Sequence, residues 1–222
     1  MRVALLALAL LAAWEATGWD RTVARWLGDA AGFPMRDAWL TSTLLHNGGR
    51  RLAWAALALS AWDAIRPWQA GPSRKERLYW LGVTVAGSML VPGIKRLSDT
   101  SCPWDLAEFG GHTAYVPHWA YWGRDGGPGH CFPSGHAVAA FAFLSLYFLW
   151  RPYRPVLARW LLFGVVGLGL MFGWVQLARG AHFPSHTFWS AWLCWALCTA
   201  AAARQQHLHR CSPRSPIPVA HG

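Results

Sequence analysis

Apolar residues run along this chain in six stretches, at about 3–18, 52–66, 78–94, 136–150, 156–177 and 187–203. Several fall short of the about 20 residues that cross hydrocarbon squarely. Their number and their alternation with short loops still predict an all-α fold, an integral membrane bundle of six helices. The first run, Val3 to Trp14 behind Met1 and Arg2, also has the form of a signal-peptide core, but no clean small-residue cleavage site follows before Trp14 and Glu15. Removing it would leave the next loop on the same side. The pattern breaks longest between Lys95 and Pro133, in a segment rich in Gly, Pro and aromatics; loops of this length are usually functional or disordered. After Arg204 the chain carries Pro213, Pro216 and Pro218, which predicts a single domain over 1–204 and a disordered cytoplasmic tail over 205–222. No internal repeat is visible.

Composition supports lipid as the solvent. Hydrophobic residues make up 54% of the 222 and charged residues only 14%, against about 25% charged in a soluble domain. Seventeen tryptophans suit a chain with much membrane–water boundary. The formal net charge of +10 would allow a nucleic-acid partner, but the basic residues gather at the ends of apolar runs rather than along one face, so no such partner is expected. Arg2, Arg66, Arg74, Lys75, Arg77, Arg151, Arg154, Arg159, Arg204, Arg210 and Arg214 share one side, where Glu76 offsets them. On the other side Asp20, Asp29, Asp37, Asp99, Asp105, Glu108 and Asp125 balance the cations. The positive-inside rule then puts both termini in the cytoplasm and the loops at about 19–51, 95–135 and 178–186 outside. Cys194 and Cys198 lie one helical turn apart in an apolar run and read as packing residues. Cys102 and Cys131 share the long outer loop and are either a disulfide, as a periplasm permits, or two free thiols.

Three polar clusters interrupt the apolar pattern, all on the outer side: Lys95–Asp105, Cys131–His136 and Arg179–His186. In the second, a Pro133-Ser134-Gly135 turn entering a helix would offer backbone N–H groups and a hydroxyl to an anion, with the helix dipole behind them. His136 adds a group that exchanges a proton near neutral pH. Arg179 brings a guanidinium suited to phosphate, with His182 and His186 nearby, and Lys95 a further cation. Each has a plainer role as well. Lys95 and Arg96 suit a helix-end anchor, Ser134 an N-cap, and His182 with His186 (i, i+4) a metal pair, although no H-E-x-x-H is present.

Together these clusters resemble the type 2 phosphatidic acid phosphatase and haloperoxidase superfamily, whose pattern is K-x6-R-P, then P-S-G-H, then S-R-x5-H-x3-D. Pro133-Ser134-Gly135-His136 matches the middle motif in full. Lys95 and Pro103 match the ends of the first, and His182-Phe183-Pro184-Ser185 is similar to the H-Y-P-S start common in the third. The resemblance spans residues 95–186 and the six-helix layout. It implies a phosphatase in which His182 attacks phosphorus and forms a phosphohistidine, and His136 protonates the leaving oxygen. Lys95, Arg179, Ser134 and the Gly135 N–H would hold the non-bridging oxygens, and neither metal nor cofactor is implied. Three positions depart from the pattern: Cys102 stands where Arg precedes Pro103, Gln176 stands six residues before His182 with Arg179 only three before it, and His186 replaces the Asp that orients the nucleophile. Asp99, Asp105 and Glu108 are the acids available to restore that charge. A rival register makes His186 the nucleophile. The expected substrate is a lipid phosphate or pyrophosphate among membrane lipids. Candidates are lipid A, undecaprenyl pyrophosphate, phosphatidylglycerol phosphate and phosphatidic acid, acted on at the periplasmic face of a bacterial inner membrane. Transfer to a second lipid, an inactive lipid-phosphate-binding scaffold, and a thiol oxidoreductase using Cys102 and Cys131 are the competing readings.

Overall fold

Each of the six apolar stretches becomes helix in the computed structural model, which describes residues 2–120 and 125–211. Helix α1 is Arg2–Thr17 and the short α2 is Trp19–Ala24. A π-helix, Leu40–Asn47, continues straight into α3, Gly48–Ile65. Helix α4 is Arg74–Lys95. The fourth stretch is a bent rod: α5 Val138–Phe141, a 3₁₀ turn Ala142–Leu144, and α6 Ser145–Trp150. Helices α7, Pro155–Ala178, and α8, Pro184–Cys211, complete the bundle. Apart from two isolated β-bridges, no β structure occurs among the described residues, so the fold is all-α.

Sequence chemistry sets the helix ends. Ser73 and Glu76 form a capping box at the start of α4: the Ser73 N–H donates to the Glu76 carboxylate (2.8 Å) and the Glu76 N–H to the Ser73 hydroxyl (3.3 Å). Prolines 155 and 184 occupy the first positions of α7 and α8, where no donor is needed. Between helices the core is aromatic and aliphatic, with Trp80, Phe141, Phe143, Leu144, Phe148 and Trp150 buried. One hydroxyl pair, Thr84 and Ser145 at 2.6 Å, is enclosed within it. Helix α7 meets α8 at Gly173, where a Cβ would lie 2.3 Å from the Thr187 side chain; only glycine lets the helices approach so closely.

Three expectations change. By length and composition two helices, α4 and α7, can cross a membrane, with Val138–Trp150 a shorter apolar rod, where the pattern predicts six spans. The reason lies in the individual helices: α1 has only 16 residues, α3 opens on Gly48-Gly49-Arg50-Arg51, and α8 interleaves His186, Ser190 and Arg204 with its apolar residues. Arg77, one of the charges assigned to the inner side with Glu76 offsetting them, is 2% exposed and has a further partner: its guanidinium pairs with Asp63 and donates to the Gln69 carbonyl (2.7 Å). Helix α8 runs on to Cys211, into the segment expected as a tail, whereas 212–222 lie outside the described residues. Large apolar side chains cover much of the outside, among them Met89, Trp54, Trp62, Trp160, Phe163 and Trp174.

At one end the three inter-helix segments pack on one another. The Trp104 N–H donates to the Gly180 carbonyl (2.9 Å), and the Arg179 Nε to the Arg36 carbonyl (2.8 Å). Glu108 pairs with Arg21 and Arg25. Beneath these, Phe33, Leu106, Phe109, Leu177 and Phe183 form a small second core that fixes the segments as one body.

Candidate active site

The P-S-G-H turn is held from three directions. Cys131 is disulfide-bonded to Cys102 (Cα–Cα 5.1 Å), and its N–H donates to the Thr100 carbonyl at 3.0 Å. The Ser134 N–H donates to the His186 carbonyl (3.1 Å), while the Ser190 hydroxyl donates to the Ser134 carbonyl (2.9 Å). Ser134 is therefore no N-cap. Its hydroxyl is fully buried and has no hydrogen-bond partner among the described residues, and α5 begins without a side-chain cap. The dipole support expected behind the turn is also slight, since α5 spans four residues before the 3₁₀ turn. What the turn presents is an unsatisfied hydroxyl in a dry setting, a group that costs about 1–3 kcal/mol until something bonds to it.

Around this hydroxyl gather the groups expected from the motifs. Lys95, the last residue of α4, runs past Gly135, its Cδ 3.9 Å from where a Cβ would stand. His136, 7% exposed, has an unpartnered Nε2. Burial, reinforced by the charges of His46, Arg179 and Arg50, pushes its pKa down to about 4, against a hydrogen bond with the Leu45 backbone. His182 sits in the turn ahead of α8, 4% exposed, its Nδ1 3.4 Å from the Nδ1 of His186. Burial, then the charge of Lys95 and the cost of charging His182 beside His136 and His46, hold its imidazole well below its usual pKa. Both rings are thus neutral at pH 7. Arg179 acts on His136 and His46 through its charge, but its Nε is engaged by the Arg36 carbonyl.

The departures from the motif pattern have structural counterparts. At the first, Cys102 is engaged with Cys131 and its N–H is held by the Asp105 carboxylate (3.1 Å). At the second, buried Gln176 places its Nε2 3.0 Å from Nδ1 of His46, whose ring is stacked on His136 (centroids 4.2 Å, planes 14° apart). At the third, two of the three acids expected to compensate for His186 are engaged elsewhere. Asp105 holds Cys102 and Glu108 holds Arg21 and Arg25. Instead, α1 brings Glu15 to 3.1 Å from Nε2 of His118, close but out of line for a hydrogen bond. The His118 ring meets His186 edge to face at 5.4 Å. Asp20, also missed in the sequence, is buried and accepts from the Ser185 N–H (3.0 Å) and hydroxyl and from the Trp14 indole (2.9 Å), fixing the start of α8 between the two histidines.

Residues 77–210 match the PAP2 superfamily over more than half of the chain. The chain belongs to the PAP2 superfamily. The comparisons with curated proteins and with solved structures return no match. The matched region holds every motif residue from Lys95 to His186, and the buried cluster of His182, His186 and Cys131 is consistent with a PAP2 phosphatase-type site. One atom from each of those three lies within 4.8 Å of the others, the spacing of a metal trio, but the Cys131 sulfur is bonded to Cys102 and is no thiolate. Of that trio two imidazoles remain as donors among the described residues. His46, Glu15, Asp20 and His118 lie outside the motif pattern; His46 and Gln176 are 130 residues apart, and no local signal joins them.

Proposed function

We propose that this protein removes phosphate from a lipid or lipid-linked substrate at the outer face of a membrane. The observation that carries the reading is a turn with two buried groups that lack hydrogen-bond partners, the Ser134 hydroxyl and the Nε2 of His136, with Lys95 running past Gly135 between them and His182 near enough to feel both Lys95 and His136. Buried polar groups are nearly always bonded, so this set fits a ligand with several acceptor oxygens. His182, with Nδ1 directed at His186, has Nε2 available as nucleophile. Attack forms the N–P bond as the P–O ester bond breaks, and His136 gives a proton to the departing oxygen. A neutral His136 gains that proton when the dianionic phosphate enters and raises its basicity. Lys95, Ser134 and the Gly135 N–H then hold the non-bridging oxygens as charge moves toward them. Water next attacks phosphorus, His136 takes its proton, and the N–P bond breaks to release phosphate.

An amphiphilic substrate is supported by the exposed apolar side chains of the bundle. It is supported too by an apolar cleft of about 570 Å³ between α1, α7 and α8, lined by Trp14 and by Phe188, two residues past His186. The bridged Cys102 and Cys131 suit an oxidising periplasm, and the inner-side lysines and arginines suit a bacterial inner membrane protein with the site facing out.

The test is phosphate release by detergent-purified protein from a panel of lipid phosphates and pyrophosphates with EDTA present. Expected is turnover by wild type, near-total loss in His182→Ala, and a loss of about 10²–10⁴ in His136→Ala. A phosphoenzyme stable to base and labile to acid should form in wild type and not in His182→Ala. Tight binding of a lipid phosphate without turnover by wild type would replace the enzyme with a binding scaffold. A dead His186→Ala beside an active His182→Ala would move the nucleophile one helical turn.

A further inference from the structure

We propose that His46 is a ligand of the substrate phosphate and that Gln176 is the residue that positions it. The inference rests on the phosphatase reading above and adds to the site an element from the first inter-helix segment. Gln176 is 2% exposed, and its side-chain nitrogen lies 3.0 Å from Nδ1 of His46. An amide nitrogen only donates. Nδ1 of His46 is therefore the acceptor, and the ring proton sits on Nε2. Among the described residues no partner takes that proton. The ring lies parallel to that of His136, with centroids 4.2 Å apart, so His46 stands directly against the P-S-G-H turn.

Two further features tie this pair to the reaction centre. The carbonyl of Gln176 accepts from the N–H groups of Ala181 (2.8 Å) and His182 (3.4 Å), so one residue sets both the His46 ring and the nucleophile turn. His46 stands in a π-helical segment, Leu40–Asn47, a local widening that recurs at functional sites. The segment leads to Gly49, where a Cβ would come 3.4 Å from Nε2 of His136 and 2.8 Å from Phe172. The bare backbone there lets the two imidazoles stack. Gln176 is neutral and does not draw a second proton onto the ring, so His46 serves as a fixed N–H donor, with Lys95, Arg179 and Arg50 supplying positive charge around it.

A spacer that merely filled the volume would show itself in stability, and a ligand in anion binding. The probes are orthovanadate and inorganic phosphate with full-length protein in detergent, alongside lipid phosphate turnover. His46→Ala should lower kcat/KM by about 10²–10³ and weaken orthovanadate by a similar factor in protein that is still folded, with the thermal midpoint lowered only by the stranded Gln176 amide. His46→Gln, which keeps an amide donor, should fall between the two. In His46→Ala/Gln176→Arg a guanidinium reaches the vacated space, and at least tenfold of the loss should return. Wild-type turnover and wild-type orthovanadate affinity in His46→Ala would overturn the proposal and leave the phosphatase reading intact. If wild type turned nothing over, the phosphatase reading would fail, and orthovanadate affinity would decide His46 by itself: unaltered in the variant, the ligand role is wrong. Should His46→Ala not fold, ¹⁵N-histidine spectra of wild type give the answer, since the His46 Nε2–H resonance must shift on adding orthovanadate, and no shift rejects the role.

Discussion

A hydroxyl sealed from water with nothing to bond weakens the free protein, and Ser134 carries that cost at the centre of the site. Ser134→Ala should therefore leave the thermal midpoint unchanged or raise it while lowering turnover by about 10²–10³; a fall in both would mean the hydroxyl is structural. His136 makes a second prediction at this scale. Its pKa is about 4 in the folded protein, pushed down by burial and by His46, against 6.5 in the unfolded chain. Between those values the unfolded chain binds a proton that the folded site refuses, so folding stability falls as pH drops from about 6.5 to about 4 and is untouched above 6.5. His182, shifted the same way by its own burial, adds to the slope. Melting curves across that window should show the decline, less steep in His136→Asn and in wild type with orthovanadate. The residues legible in the sequence were those in local motifs, Lys95, Ser134, His136, His182 and His186, because a turn chemistry or a helical spacing marks each. His46 and Asp20 were not. Their partners, Gln176 and Ser185, stand 130 and 165 residues away, and only the packing of segments brings them in.

The segment between α4 and α5 has little helix of its own and depends on cross-links. The Cys102–Cys131 bridge closes a loop of 29 residues, which in the chain-entropy account contributes about 3–4 kcal/mol. Cys102→Ser/Cys131→Ser should lose an amount of that order in denaturant melts. Activity should drop with it, because the first and second motifs meet across that bond; wild-type stability in the double variant would show that the backbone bonds to Ser98 and Thr100 suffice. The start of α8 depends on Asp20, which satisfies two donors of Ser185 and the indole of Trp14. Asp20→Ala strands those donors and should cost about 1–3 kcal/mol. At this scale the sequence was a good guide: all six apolar stretches are helices. The π-helix ahead of α3 and the broken α5–α6 rod went unread, since both arise where aromatic and imidazole rings must fit between neighbours and no residue type announces them.

Taken whole, the molecule is a helical bundle with apolar side chains outside and a polar crown of loops at one end. The periodic apolar runs foretold the bundle, and charge counting placed the three motif segments at a common end, where they are found packed together. Length and composition single out two of the six runs as long enough to cross a membrane; apolar runs alone do not, because shielding a helix from water takes the same residues whether a neighbour or a lipid does it. Extraction should require detergent, and brominated lipids should quench Trp54, Trp62, Trp160 and Trp174; full fluorescence in such vesicles would place those faces elsewhere. The wide separation of the site's parts along the chain has a consequence for biosynthesis. A ribosome delivers His46, then Lys95, then Ser134 and His136, and only near the end His182 with the helix that Asp20 has been waiting to fix. On the proposed mechanism the nascent chain holds the phosphate ligands before it holds the nucleophile, and it has no activity until its last helix docks.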